Sequence, residues 1–327
     1  MLTAVITGVA GQDGSYLSDL LLEKGYLVIG VAKRSGTNIV HRNISHLGNA
    51  KNFILVEGDV CDQTLISRIL HDHKPHEWYN LAAMSHVGQS FREPISTFET
   101  DALAVLGQLE MIRQISPYTR FYQASTSELF GGISCPEEGY DESSVFHPRS
   151  PYGVSKLAAF WAVKNYREAY GMFACNGILH NHSSPRRGYD FATRKITRGV
   201  ASVKLGLQKT LKMGNLEAFR DEGHSKDYVR AMWMMLQAQN AKDYLVATHD
   251  GATIRQMLEY VCELANLDPD DVYEMDERYM RPSEVPFLLG NPSCIKEDLG
   301  WNPEYSWKDL LKEMYENDLN NLEVKND

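Results

Sequence analysis

The sequence predicts an α/β protein in which a doubly wound parallel sheet carries a smaller C-terminal α/β domain. Short apolar runs alternate with amphipathic stretches of helical period from residue 2 to about residue 180. A glycine-rich turn, residues 8–14, follows the first apolar run and opens the first amphipathic stretch. After about residue 182 the alternation becomes irregular, which favours a second unit of different architecture.

Each element follows from its periodicity and from the turn residues beside it. The predicted strands of the sheet are 2–7, 27–31, 53–56, 77–81, 120–124 and 173–179. The predicted helices between them are 15–24, 64–71, 97–115 and 152–170. Later helices are expected at 193–205, 227–239, 254–265 and 307–316, with a strand at 244–248 that returns to the first sheet.

These elements predict two domains. Residues 1–182 form the dinucleotide-binding domain, with a returning segment near 224–250. Residues 183–223 and 251–327 form a substrate domain.

Composition narrows the class of protein. The chain has 327 residues, is 43% hydrophobic and 23% charged, and carries a formal net charge of −10. The negative charge argues against nucleic-acid and anionic-membrane partners, and we expect neither a membrane span nor a signal peptide. The five cysteines are scattered without a CxxC pair, which predicts reduced thiols in a cytoplasmic protein and no metal site.

A basic cluster stands out against this acidic background. Residues 185–230 contain eleven Lys and Arg against five Asp and Glu. Such a cluster is usually a solvated face. Here it opens with Pro185-Arg186-Arg187-Gly188, a turn-like setting that suits a phosphate-bearing small molecule.

The glycine-rich turn predicts a dinucleotide site of the Rossmann type. Gly8, Gly11 and Gly14 permit a tight turn and a close approach of backbone to pyrophosphate, and Gln12 and Asp13 begin the helix. The N–H groups at the helix start then face the anion. A glycine pattern alone is weak evidence, and its place between a strand and a helix strengthens it.

The end of the second strand indicates which dinucleotide binds. A carboxylate there would select NAD, whereas this chain has Lys33-Arg34-Ser35. Arg34 can pair with a 2′-phosphate, so NADP is favoured over the alternative of a surface arginine. Asp59 and Val60 are expected at the adenine ring. Leu81 and Ala83, after the fourth strand, are expected to line the cofactor.

Two pairs of residues predict the chemistry. Tyr152 and Lys156 lie four apart on one helical face, where an ammonium favours phenolate and makes the tyrosine a base for a sugar hydroxyl. Thr126 follows the fifth strand and can share that proton. Glu128 can remove a proton next to a newly formed carbonyl, although a glutamate at a helix start or on the surface is an equal alternative.

Together these motifs resemble the extended short-chain dehydrogenase/reductase family and, within it, the GDP-mannose 4,6-dehydratase family. The resemblance covers nearly the whole chain. The matching runs are 6–17, 80–83, 121–129, 148–153, 176–179, 184–188, 193–196, 223–224, 226–229 and 281–285.

The resemblance implies a reaction on GDP-mannose. NADP takes hydride from C4 with Tyr152 as base and with Lys156 and Thr126 in support, Glu128 removes the C5 proton, water leaves from C6, and the hydride returns to C6. It also implies a homotetramer or homodimer. The resemblance also adds Ser85, His182 and Arg187 to the predicted cofactor-binding residues. The predicted substrate-binding residues are Ser85, Ser127, Asn181, Arg194, Lys195, Arg220, Arg281 and Glu284.

Three positions depart from the family pattern. Ser183 stands where the family usually has a glutamate, and Glu222 where it usually has a tryptophan. Met84 replaces a usual glutamine. These changes affect the expected nucleotide and sugar contacts and leave the four catalytic residues intact.

Other functions remain as alternatives. A nucleotide-sugar 4-epimerase or a 4-keto reductase uses the same scaffold but does not need Glu128. A dTDP-glucose dehydratase usually carries an aspartate where this chain has Ser127. A non-catalytic dinucleotide-binding module would not need an intact Tyr152–Lys156 pair.

Overall fold

A computed structural model describes residues 1–34, 42–280 and 283–324. Its strands are β1 (Thr3–Thr7), β2 (Leu27–Ala32), β3 (Phe53–Glu57), β4 (Glu77–Asn80), β5 (Arg120–Thr126), β6 (Ala174–Leu179), β7 (Asn181–Ser183), β8 (Leu211–Met213), β9 (Phe219–His224), β10 (Tyr244–Val246), β11 (Gly251–Thr253), β12 (Tyr273–Met275) and β13 (Phe287–Leu288). Its α-helices are α1 (Gln12–Glu23), α2 (Gln63–His73), α3 (Val87–Ser90), α4 (Pro94–Phe98), α5 (Ala104–Ile115), α6 (Pro151–Tyr170), α7 (Ala192–Lys204), α8 (Ser225–Gln237), α9 (Ile254–Ala265), α10 (Pro269–Val272), α11 (Ser293–Leu299) and α12 (Trp307–Glu323).

The main sheet has seven parallel strands in the order β10-β6-β5-β4-β1-β2-β3. The order reverses direction at β1, where Thr7 pairs with Val31 of β2 on one side and with Asn80 of β4 on the other. Such a reversal leaves a crevice at the carboxyl ends of the strands. The predicted doubly wound parallel sheet is confirmed, and β10 joins it beside β6.

Helices cover both faces of this sheet. On one face, α1 and α8 pack together through residues such as Leu17, Leu21 and Met232. On the other face, α2, α5 and α6 share a buried cluster that includes Ile69 and Leu109. The inner strands are therefore buried on both sides, which accounts for their continuous apolar character, whereas the edge strand β3 leaves Ile54 and Leu55 exposed.

The predicted helix 97–115 is interrupted. A π-helical turn, Glu99–Leu103, separates α4 from α5, and its Ala104 N–H donates to the carbonyl of Glu99. The turn brings Asp101 into the interior, where Oδ1 accepts a hydrogen bond of 2.8 Å from the Met84 N–H. A π-helical turn contains one extra residue, and the helical period of 3.6 residues in the sequence does not show where that residue is inserted.

The C-terminal part has its own core. Strand β9 pairs with β7, β11 and β13, while β8 pairs with β12. Helices α7, α9 and α12 enclose a separate apolar cluster that includes Val200, Leu258 and Leu311. Helix α12 runs beyond the predicted 307–316 because its later turns also bury side chains, among them Asp318 and Leu322. The domain boundaries themselves stay a prediction. No helix in the described ranges is long and apolar enough to cross a bilayer.

Candidate active site

A cleft of about 1390 Å³ opens at the carboxyl ends of the parallel strands and extends between the two parts of the chain. Most of the residues predicted for the site line it. They are Gly8, Gly11, Gln12, Asp13, Gly14, Leu81, Ala83, Ser85, Thr126, Ser127, Glu128, Tyr152, Lys156, Asn181, His182, Arg187, Lys195, Arg220 and Glu284.

The glycine-rich turn has the geometry that a dinucleotide pyrophosphate requires. Gly8 has φ +71°, and a Cβ on it would lie 2.8 Å from the backbone nitrogen of Ala82. A Cβ on Gly14 would lie 2.5 Å from the carbonyl oxygen of Gly8. Side chains are therefore excluded at both positions, and the start of α1 faces the cleft with its free N–H groups.

The first turn of α1 is tied to the opposite side of the cleft. Gln12 Nε2 donates to the carbonyl of His182 at 2.9 Å, and Asp13 Oδ2 lies 2.9 Å from His182 Nε2. Burial opposes ionisation of Asp13, yet His182 and Arg187 outweigh it and lower its pKa. The His182 ring stacks on Tyr228 with centroids 4.2 Å apart.

Tyr152 and Lys156 occupy the first turns of α6. Ser150 caps this helix by accepting the Gly153 N–H at 3.0 Å, and Pro151 begins it. The Lys156 ammonium donates to the Ala124 carbonyl at 2.9 Å and lies 5.9 Å from the centre of the Tyr152 ring. The spacing predicted from sequence does place both side chains on the cleft.

The electrostatics of this pair differ from the expectation. Burial raises the pKa of Tyr152, and Asp101 and Glu128 add to the rise, while a hydrogen bond with Thr126 and the Arg187 cation act against it. Burial also lowers the pKa of Lys156, opposed by Asp101. The net direction for Tyr152 is thus opposite to the one expected from a neighbouring ammonium, because burial dominates.

Thr126 and Glu128 lie at the end of β5. Thr126 is its last residue and caps a short 3₁₀ turn, with its hydroxyl accepting the Glu128 N–H at 3.2 Å. Glu128 is 8% exposed and lines the cleft. Glu128 therefore lies in the first turn of a short helix, which agrees with the alternative of a glutamate at a helix start. Its carboxyl lines the cleft and is not on the outer surface.

Two further residues belong to this site. Asp101 is fully buried on the π-helical turn and interacts electrostatically with both Lys156 and Tyr152. Its signal in the sequence is the spacing of Thr97, Asp101 and Val105, which puts a charge on a buried helical face. His180 also lines the cleft. Burial and, to a smaller extent, the Arg220 cation lower its pKa to about 3. No sequence pattern singled it out.

Some predicted residues lie away from the cleft. Arg34 is 83% exposed, with its Nε 3.9 Å from Glu57, and Asp59 pairs with Lys33 at 3.0 Å. Val60 is buried beside them and does not line the cleft.

Arg194 differs most from its expected role. It is 1% exposed and pairs with Asp318 at 2.6 Å, because α7 turns this side chain toward α12. Its guanidinium is therefore held in the interior by this ion pair. Arg281 lies outside the described residues.

A profile of the GDP-mannose 4,6-dehydratase family matches residues 5–314. The chain belongs to this family. It is 46% identical to a GDP-mannose 4,6-dehydratase of Vibrio cholerae over 97% of this chain and 93% of the relative. A GDP-mannose 4,6 dehydratase of Arabidopsis thaliana is 45% identical, covering 97% of this chain and 89% of the relative.

Solved structures share the fold. The UDP-glucose 4-epimerase of Thermotoga maritima superposes with a TM-score of 0.86 at 26% sequence identity. The match covers 98% of this chain and 100% of the epimerase chain. Membership of the dehydratase family disfavours the alternatives of a 4-epimerase and a 4-keto reductase. The intact Tyr152–Lys156 pair disfavours a non-catalytic module.

Proposed function

We propose that this chain converts GDP-mannose into GDP-4-dehydro-6-deoxymannose with NADP as a recycled cofactor. The observation that carries the proposal is the buried carboxyl of Glu128 in the same cleft as Thr126 and Tyr152. Family membership supports the substrate. An epimerase or a 4-keto reductase has no step that requires this carboxyl.

The residues at the glycine-rich turn fit a nicotinamide dinucleotide. Gly8 and Gly14 allow the turn to pack closely against neighbouring backbone, and α1 offers its N-terminus to a pyrophosphate. Arg34 would hold the 2′-phosphate of NADP, since its side chain is 83% exposed and its Nε lies as far as 3.9 Å from Glu57. When bound, the nicotinamide would supply the hydride acceptor for C4 of the mannose and the hydride donor for C6.

Tyr152 acts as the base for the C4 hydroxyl. The Thr126 hydroxyl would share this proton, since its interaction with Tyr152 lowers the pKa of the phenol. The buried Lys156 ammonium, held by the Ala124 carbonyl, stabilises the phenolate that forms as the proton leaves.

Glu128 carries out the step that defines a dehydratase. The new C4 ketone acidifies the neighbouring C5–H, and Glu128 takes that proton while the C6 hydroxyl departs with a proton as water. C6 then receives the hydride and C5 receives a proton. The net change is the loss of one water, so no external reductant is consumed.

The diphosphate would be held by cations that line the nucleotide end of the cleft. Lys195 and Arg220 lie there with Asn181 and Glu284. Guanidinium and ammonium groups supply charge and orientation for phosphate oxygens. We leave Arg194 out of this set because Asp318 holds it in the interior.

We also propose that the protein is a homo-oligomer. Helices α5 and α6 pack against each other and present Leu106, Val154 and Trp161 to solvent, with exposed fractions of 42%, 47% and 52%. A second copy would cover this apolar face. Trp161→Lys should shift the sedimentation coefficient to that of a smaller species, and an unchanged value would place the contact elsewhere.

Product formation without reductant tests the activity. Purified protein with catalytic NADP and GDP-mannose should accumulate a 4-keto sugar, and a requirement for stoichiometric reductant would contradict the proposal. Glu128→Gln should retain nucleotide-sugar binding and lose water elimination. Glu138→Gln, on the exposed loop nearby, is the matched control and should turn over normally.

A further inference from the structure

Asn43 lies beside the glycine-rich turn, at the end of the cleft where the dinucleotide is expected. It belongs to a 3₁₀ turn, Arg42–Leu47, whose Ile44 and Leu47 side chains are buried in the same apolar cluster as α1. Asn43 itself is partly buried and lines the cleft. The two apolar anchors therefore fix the turn against α1 and leave the asparagine side chain in the cleft wall.

The amide of Asn43 bridges two backbone carbonyls from distant parts of the chain. Its Nδ2 donates at 3.1 Å to the carbonyl of Ala10, in the glycine-rich turn, and at 3.1 Å to the carbonyl of Arg186. Both partners are acceptors, so the two hydrogens of a primary amide match them, whereas a carboxylate of the same shape would not. One side chain thus ties the glycine-rich turn to the 184–188 loop.

The 184–188 loop is also fastened to α1 by its own side chains. Ser184 Oγ accepts the Arg186 N–H at 3.1 Å and donates to Gln12 Oε1 at 3.0 Å. The Arg186 guanidinium pairs with Asp19 of α1 at 2.7 Å. Arg186 therefore directs its side chain onto α1, while its carbonyl accepts the hydrogen bond from the 3₁₀ turn.

We propose that Asn43 is a positioning residue for the bound dinucleotide, because it holds the 184–188 loop against the glycine-rich turn. The glycine-rich turn offers N–H groups to a pyrophosphate, and the loop carries Arg187, which lines the same cleft. A site whose two sides are joined before the ligand arrives loses less freedom on binding. The bridge therefore raises the affinity for the dinucleotide and slows its release. The inference rests on the proposed function only in taking NADP as the ligand.

Two substitutions separate the bridge from an effect of charge. Asn43→Ala removes both hydrogen bonds without adding charge, and calorimetric titration should show NADP+ binding weakened roughly tenfold. Asn43→Asp keeps the shape but sets carboxylate oxygens against two carbonyl oxygens, so its loss should be larger. Asn52→Ala, at an exposed side chain just before β3, is the matched control and should bind NADP+ as the wild type does.

Release and local order give readouts that a merely structural role would not produce. NADPH fluorescence should show faster dissociation from Asn43→Ala than from the wild type. Hydrogen exchange should also be faster at the Arg187 N–H, which donates to the Ser184 carbonyl at 3.0 Å. The melting temperature and the affinity for GDP, a probe of the substrate end of the cleft, should stay close to the wild-type values.

Three results would overturn the proposal. They are unchanged NADP+ binding in Asn43→Ala, a loss confined to Asn43→Asp, which would mean that charge alone acts, and equal losses of NADP+ and GDP affinity, which would indicate general loosening of the fold. If the wild type binds NADP+ but forms no keto sugar, the proposed function fails, while these titrations still decide the role of Asn43.

Discussion

The two walls of the cleft hold their charges in different ways. The catalytic wall (Asp101, Thr126, Glu128, Tyr152 and Lys156) is built on β5, the π-helical turn and α6, and its ammonium is fixed by a backbone carbonyl at 2.9 Å. The charged wall (Asp13, His182, Arg187, Arg220 and Glu222) is formed by the start of α1 and by β7, β9 and the adjoining loop. There, Asp13 pairs with His182 at 2.9 Å, and the Arg187 guanidinium lies 3.7 Å from the centre of the Phe191 ring.

The difference indicates what each wall is for. Groups anchored to rigid backbone keep their geometry through the reaction, as acid–base chemistry requires. Groups held mainly by one another can rearrange around an anionic ligand at low cost. Substitutions in the catalytic wall should therefore act on kcat, and those in the charged wall on binding and on the pH profile.

The largest effect is expected for Tyr152→Phe. Loss of the phenolic hydroxyl should lower kcat by about 10²–10⁴-fold, the usual contribution of a positioned acid–base group, with little change in KM. Steady-state kinetics check this. Tyr166→Phe, on the same helix but hydrogen-bonded to Glu110, is the matched control. An effect mainly on KM would contradict the proposal that substitutions in the catalytic wall act on kcat.

Arg194→Met should affect stability far more than binding. Breaking its 2.6 Å pair with Asp318 leaves a buried carboxylate, which costs about 3–5 kcal/mol in the free energy of unfolding. Urea denaturation measures this. Adding Asp318→Leu should restore part of the loss. A large rise in KM for GDP-mannose with unchanged stability would instead return Arg194 to the substrate site.

Lys195→Met should raise the KM for GDP-mannose roughly tenfold and leave kcat almost unchanged, since an ammonium paired with phosphate is lost. Lys195 lines the cleft, whereas Lys204, at the other end of α7, is exposed outside it. Lys204→Met is the matched control. Equal effects of the two substitutions would show that Lys195 acts only through general charge.

The smallest effect is expected for Asp101→Asn. Asp101 raises the pKa of both Tyr152 and Lys156. Without its charge both values fall, so both limbs of the kcat profile should move to lower pH. The asparagine carbonyl can still accept the Met84 N–H. A limb that moves to higher pH would mean that Asp101 acts by another route.

The two walls also differ in how far sequence predicts them. Helical spacing and the end of a strand predict where Tyr152, Lys156 and Thr126 lie. Sequence does not predict the interior position of Arg194, because its buried partner, Asp318, is 124 positions away and leaves no local pattern. The spacing of Thr97, Asp101 and Val105 puts Asp101 on a buried helical face, but the π-helical turn that carries it has no local signal in the sequence.

The proposed reaction carries out oxidation, elimination and reduction at one site without exchange of the cofactor. GDP-mannose deuterated at C4 tests it most directly, with the product examined by mass spectrometry and NMR. We expect the deuterium to appear at C6 of GDP-4-dehydro-6-deoxymannose, even in the presence of excess unlabelled NADPH. A product with ordinary hydrogen at C6 would contradict it.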